Sequence, residues 1–184
     1  WDLSPLGNEN SFQQKRIEWE KQTKNFVSKW KSRDDYLENP QILKEALDDY
    51  ENWRHYYGYE ADEIYYYWLK TQQDETNAES KAKFSKVEEF SKKIENEILF
   101  FTLNIAKIPE EKQKIFLQAP ELKNYKHFLE KIFRRAKYLL SEQEEKIINL
   151  KSTSAHELWV KTVSEFSFEI SPLLLIGRQL VSRC

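Results

Sequence analysis

The feature that most constrains the fold is a set of apolar residues recurring at steps of three or four between positions 84 and 105. Charged and polar residues occupy most of the intervening positions. Because an α-helix has 3.6 residues per turn, this spacing places the apolar side chains on one face of one long helix. The set comprises Phe84, Val87, Phe90, Ile94, Ile98, Phe101 and Ile105.

Start and stop signals divide the rest of the chain into further helices. Asn39 before Pro40 is a strong N-terminal signal, and Gly58 is a plausible stop. Pro109 and Pro120 each precede acidic residues, which favour the positive end of a helix dipole. Ser141 begins a capping-box sequence. We therefore predict helices that start near Pro40, Pro109, Pro120 and Ser141.

Three more helices are predicted along the chain. One spans residues 12–30, with Ile17, Trp19 and Trp30 in its apolar set. Another spans about 60–73, where the polar flanking sequences favour a helix over the strand that four consecutive aromatic residues would also suit. A final helix contains the sequence HELWV at 156–160 and is expected to turn Leu158, Trp159, Val163 and Phe166 toward the core. The fold class is predicted to be all-α, a multi-helix bundle of about seven or eight helices with one long central helix.

Composition excludes several function classes. The chain has 184 residues, 33% of them charged, and a net charge of −2, so no strong positive field favours nucleic acid. The apolar run 172–177 is too short to cross a bilayer, and residues 1–10 show no signal-peptide pattern. With one cysteine, Cys184, no intrachain disulfide can form. We expect a cytoplasmic protein with no nucleic-acid or membrane partner.

The sequence HELWV at 156–160 contains half of a zinc-peptidase motif. His156 and Glu157 have the required order, but the second histidine of His-Glu-x-x-His is replaced by Val160. The other histidines, His55 and His127, lie far away in sequence. An ordinary helical histidine is favoured, and a site using distant ligands is the alternative.

Other constellations also favour structural roles. Four aromatic residues at 65–68 are interpreted as core packing with partly exposed tyrosines, because consecutive helical residues spread around the axis. Glu51 and His55 do not have the Glu-x-x-His spacing of a di-iron bundle. Arg134 and Arg135 fit a helix C-terminus better than an anion site. We therefore predict no catalytic, cofactor-binding or metal-binding residue in this chain.

Four stretches, at residues 1–6, 59–67, 95–111 and 119–159, together resemble the N-terminal region of the oligoendopeptidase F family. Members of this family are zinc metallopeptidases related to thimet oligopeptidase. The resemblance covers roughly residues 1–166, and the stretch 119–159 is its most specific part. Residues 169–184 do not resemble the family's continuation and are interpreted as an atypical tail, from a truncated gene, a frameshift or a partial fragment.

The resemblance implies a helical clam around a channel that admits short peptides and excludes folded proteins. Its zinc is held by the histidines of His-Glu-x-x-His and a later glutamate, all expected beyond the region that this chain resembles. Residues 1–168 would therefore form an N-terminal helical lobe that is inactive alone, with no cofactor of its own and zinc in the full-length protein. Expected partners are the missing catalytic domain or short peptides, with self-association through an exposed apolar face.

Two alternatives to this function stay open. The chain could be a stand-alone helical module that binds a protein partner and has no catalytic activity. It could also be an enzyme with an unrecognised site that uses no metal, which would require a concave pocket with converging titratable groups.

Overall fold

The structure is a computed structural model that describes residues 2–56, 62–152, 159–160 and 162–163. Within these ranges the secondary structure is helical and contains no strand, so the all-α prediction is confirmed. The predicted long helix is also confirmed, as α4. The α-helices are α1 (Glu9–Trp30), α2 (Pro40–Tyr56), α3 (Asp62–Gln73), α4 (Ala78–Ala106), α5 (Glu110–Gln118), α6 (Lys126–Ala136) and α7 (Glu142–Ser152).

Two helix starts confirm the capping signals in the sequence. The Asn39 side chain accepts a hydrogen bond from the backbone N–H of Gln41 at 2.8 Å, which satisfies one of the free donors at the start of α2. At the start of α7, the Ser141 hydroxyl accepts from the backbone N–H of Glu144 at 3.3 Å. The Glu144 carboxylate accepts in return from the backbone N–H of Ser141 at 2.9 Å. This is the reciprocal arrangement of a capping box.

The chain divides into two compact units, Trp1–Lys146 and Ile147–Cys184. The core of the first unit forms around α4, where six of the seven periodic residues are buried and Phe90 is half-buried. The ring of Phe101, fully buried, lies 5.2 Å from the ring of Phe26, 5.5 Å from that of Tyr36 and 5.2 Å from that of Tyr50. α4 therefore packs against α1 and α2 through aromatic side chains, whose tilted and edge-on contacts are the favoured geometries.

The helix predicted to start at Pro120 differs from the prediction. Pro120–Tyr125 is a 3-10 helix, and the α-helical part begins only at Lys126. Because residues three apart eclipse in a 3-10 helix, Leu122 and Tyr125 project to the same side. Leu122 is buried in the core and the Tyr125 hydroxyl bonds to carboxylates of α2, so tertiary contacts favour the tighter turn.

One residue of the predicted apolar set of α1 is exposed, and so are two residues that were expected to face the core. Ile17 is 53% exposed, because the buried face of α1 includes Trp19, which lies about 200° further round the helix. Trp159 is 68% exposed and Val163 45%, so the prediction that these two residues face the core was wrong. Leu158 and Phe166, predicted with them, lie outside the described residues. The described part of the second unit has no buried residue that could form a second apolar layer for them.

Candidate functional site

The first unit contains a cleft between α1 and α2 of about 320 Å³, which we call the α1–α2 cleft. Each helix contributes four lining residues at steps of three, one and three, so each set occupies one side of its helix. Its lining consists of Gln22, Asn25, Phe26 and Lys29 from α1, and Asp49, Asn52, Trp53 and Tyr56 from α2.

The apolar floor of the α1–α2 cleft is held by a buried hydrogen-bond chain. Phe26 and Trp53 are 4% and 6% exposed. The Trp53 indole N–H donates to the Thr23 hydroxyl at 2.9 Å, and that hydroxyl donates to the Trp19 carbonyl at 2.7 Å. Thr23 is fully buried, and the Trp53 ring stacks 5.9 Å from that of Trp19 and 5.8 Å from that of Tyr50. The Trp53 ring is thus fixed by hydrogen bonding and by stacking on two sides.

One end of the α1–α2 cleft carries a compensated pair of charges. The Lys29 ammonium lies 2.6 Å from a carboxylate oxygen of Asp49, and the Trp30 indole N–H donates to the same oxygen at 2.9 Å. The positive and negative charges cancel, so this end exerts little net field on a ligand.

At the other end, the Glu18 carboxylate accepts from the Gln22 amide at 3.0 Å and from the Tyr56 hydroxyl at 3.2 Å. The hydrogen bond from Gln22 is the main reason that the pKa of Glu18 lies below its ordinary value, with burial opposing it and Tyr56 adding to it. Glu18 therefore keeps its charge and orients both cleft side chains.

Two carboxamides between these ends keep their hydrogen-bonding capacity. Asn25 and Asn52 are exposed, and their side chains have no hydrogen-bond partner among the described residues. A carboxamide offers both N–H donors and a carbonyl acceptor. The α1–α2 cleft therefore presents donors and acceptors above an aromatic floor, which suits a neutral polar ligand more than an ion.

A second polar cluster joins the 3-10 helix at Pro120–Tyr125 to α2. The Tyr125 hydroxyl lies 2.7 Å from a carboxylate oxygen of Asp48 and 2.8 Å from one of Glu51. Lys44 donates to the other Asp48 oxygen at 2.5 Å. Burial raises the pKa of Asp48, but the hydrogen bonds from Lys44 and Tyr125 together outweigh it and hold that pKa below the ordinary value. Burial and the two carboxylates raise the pKa of the Tyr125 phenol, so its proton is retained.

The aromatic residues at 65–68 spread around α3 as predicted. Tyr67 is buried and Tyr66 half-buried, and both rings pack against Phe12, at 6.2 and 5.2 Å. Tyr65 and Trp68 are 41% and 42% exposed. The four rings do not form one ligand-facing wall, which confirms their interpretation as packing with partly exposed tyrosines.

Part of the incomplete zinc-peptidase motif and the other two histidines lie among the described residues. His156 and Glu157 lie outside the described residues, and Val160 is exposed. His55 and His127 are exposed, in the last turn of α2 and the first turn of α6. No group of three or more histidine, cysteine or acidic residues in the described part of the chain could hold a metal ion, so these residues do not fit the zinc of the family.

The basic pair at the end of α6 has the predicted placement. Arg134 and Arg135 are exposed in the last turn of that helix, where cations stabilise the negative end of its dipole.

None of the described helices is both long enough and apolar enough to cross a membrane.

The α1–α2 cleft was not predicted, although its signal is present in the sequence. Gln22, Asn25 and Lys29 recur at steps of three and four, as do Asp49, Asn52 and Tyr56. Polar residues at helical spacing usually indicate a solvated face. Only the pairing of α1 with α2 shows that the two polar faces meet above buried aromatic rings.

Comparison with known proteins agrees with the resemblance seen in the sequence. Residues 104–165 match the family described as Oligopeptidase F. An Oligoendopeptidase F homolog from Borreliella burgdorferi is 34% identical over 154 residues, which are 80% of this chain and 24% of that protein. The chain thus spans about a quarter of the length of the relative it matches. No solved structure matches the chain significantly.

These matches agree with the similarity of this chain to oligopeptidase F proteins, and the described residues are helical. The resemblance of this chain to the N-terminal region of the oligoendopeptidase F family is confirmed.

Proposed function

We propose that this chain acts as the N-terminal helical lobe of an oligoendopeptidase F-like zinc metallopeptidase that cleaves short peptides. The observation that carries the proposal is the 34% identity to an Oligoendopeptidase F homolog over 80% of the chain. The aligned part is only 24% of that relative, which supports assigning this chain the role of one lobe and assigning the chemistry to another part of the protein. Residues 1–168 form the lobe in this proposal, and residues 169–184 form the atypical tail.

The described residues support a role in shape and access more than in bond cleavage. They contain no group that could bind zinc, so the water-activating metal of the family would be held elsewhere in the full-length protein. The α1–α2 cleft supplies a concave polar surface on a pair of packed helices. Such a surface can line a channel and restrict the size of the peptides that enter it. The chain alone is inactive in this proposal, and the peptidase is cytoplasmic.

The partner of the lobe is proposed to be the catalytic part of the same peptidase. In α7, Ile147, Ile148 and Leu150 are each more than half exposed, and Trp159, in the same unit, is 68% exposed. Exposed apolar side chains that lie close in sequence favour burial against another surface. In the isolated chain the same side chains would promote self-association.

A chimera tests the proposal directly. This chain replaces the aligned segment of the Borreliella burgdorferi relative, and the chimera is assayed for zinc-dependent cleavage of a quenched fluorescent oligopeptide. We expect cleavage of the peptide and none of a folded protein that contains the same sequence. A matched protein lacking the aligned segment should lose this size restriction or fail to cleave. A chimera that folds and binds zinc but leaves the peptide intact would contradict the proposal.

A further inference from the structure

We propose that the α1–α2 cleft is a subsite that binds the extended backbone of a peptide through the carboxamides of Asn25 and Asn52. This inference rests on the proposed function, because it takes short peptides as the substrate class. It adds the place on this chain where the peptide is held and the groups that hold it.

The hydrogen-bonding pattern of the cleft matches a peptide group. Each peptide unit has one N–H donor and one carbonyl acceptor, and a carboxamide offers the complementary pair. Asn25 lies on α1 and Asn52 on α2, so the two carboxamides approach a ligand from opposite sides. Neither side chain has a hydrogen-bond partner among the described residues, so binding breaks no hydrogen bond that the described structure contains.

The length of the cleft fits a short stretch of extended chain. Gln22 and Lys29 mark its two ends on α1, and seven residues of helix rise about 10 Å. An extended peptide advances about 3.3 Å per residue, so about three residues fit between these ends.

The charges and the floor define which peptides fit. The ion pair of Lys29 with Asp49 leaves that end neutral. At the other end the Glu18 carboxylate, which orients Gln22 and Tyr56, is paired with the Lys21 ammonium at 3.4 Å. A neutral segment therefore fits better than a charged one. Above Phe26 and Trp53, the half-exposed ring of Tyr56 offers apolar surface to a ligand side chain. We thus assign the cleft to a neutral segment of about three residues that has an apolar side chain.

The first experiment is an NMR titration of this chain with acetyl-Leu-Ala-Leu-amide. The side-chain NH₂ signals of Asn25 and Asn52 should shift together and saturate. The signals of Asn10 and Asn124, which are exposed outside the cleft, should stay in place. An analogue whose central amide is replaced by an ester lacks one N–H donor, and it should bind several-fold more weakly.

Variants then test the two carboxamides. The double variant Asn25→Ala/Asn52→Ala should bind the peptide about tenfold more weakly, the loss expected for two neutral hydrogen bonds. The matched control Asn10→Ala/Asn124→Ala should bind like the unaltered chain. All four positions are exposed, and circular dichroism with urea unfolding establishes that both variants keep the fold.

Several results would overturn the subsite. The first is that the NH₂ signals of Asn25 and Asn52 do not shift on addition of the peptide. The second is that the double variant binds the peptide with unchanged affinity. The third is that maltose, a neutral polar ligand without peptide groups, shifts the same signals saturably while the peptide does not bind. The chimera described above separates this failure from that of the proposed function. A chimera that cleaves peptides while the cleft binds none disproves the subsite alone. A cleft that binds peptides in a chimera that folds, holds zinc and does not cleave disproves the proposed function.

Discussion

Replacing Thr23 by valine should destabilise the fold through one buried hydrogen bond. Thr23 is fully buried, and its hydroxyl accepts the indole N–H of Trp53 at 2.9 Å. Valine has nearly the same shape but offers no acceptor, so the Trp53 N–H would be buried without a partner. Leaving a buried donor unsatisfied costs about 1–3 kcal/mol in the free energy of unfolding. The Trp19 carbonyl, which accepts from the same hydroxyl, loses only its additional bond.

Urea unfolding followed by circular dichroism measures this cost at constant m-value. The control Thr23→Ser keeps the hydroxyl and removes one methyl group, which costs about 1 kcal/mol. A double-mutant cycle with Trp53→Phe, which removes the donor, isolates the pair. The double variant should lose less stability than the sum of the single variants. Additive losses, or a Thr23→Val variant as stable as the unaltered chain, would refute the proposed hydrogen-bond chain.

Three further changes test the fold by urea unfolding. Phe101→Ala should cost about 3–5 kcal/mol, because Phe101 is fully buried among aromatic rings, and a loss below 1 kcal/mol would contradict its central place in the core. Asn39→Ala should lower the free energy of unfolding by about 1 kcal/mol, because α2 loses its N-terminal cap. Asn39→Asp, which can still cap the helix, should lose much less, and equal losses in the two variants would contradict the cap. The pKa of Asp48 is lower in the folded chain than its ordinary value of 3.8. The ionised carboxylate therefore adds to the free energy of unfolding above pH 3.8, and this stabilisation is lost as the pH falls through the pKa of the folded chain. Asp48→Asn should therefore be destabilising at pH 7, by less than about 1 kcal/mol at this half-exposed site, and nearly neutral below pH 3; a pH-independent difference would count against this linkage.

Much of the helix layout could be predicted because its signals are local. The steps of three and four from Phe84 to Ile105 depend only on helix geometry, and the caps at Asn39 and Ser141 involve residues two or three positions away. The 3-10 helix ending at Tyr125 could not be predicted in this way. It is associated with carboxylates of α2 that lie more than seventy positions earlier in the sequence.

Contacts between distant segments also limited what could be predicted for the site. Nothing next to Thr23 in sequence indicates that it would receive the indole N–H of Trp53, thirty residues away. Ile17 was placed with the apolar set of α1 by composition, yet its angular position puts it in solvent. The family resemblance could be seen in the sequence alone, whereas the α1–α2 cleft required the packing of two helices.

The central claim, that this chain is a lobe without a catalytic centre, is tested most directly by an activity assay on the purified chain. A quenched fluorescent oligopeptide is incubated with the chain, with and without added zinc, and bound zinc is quantified by atomic emission. The account predicts no turnover and no stoichiometric zinc. Zinc-dependent turnover that is lost in His156→Ala would contradict it, because His156 and Glu157 would then belong to a working site.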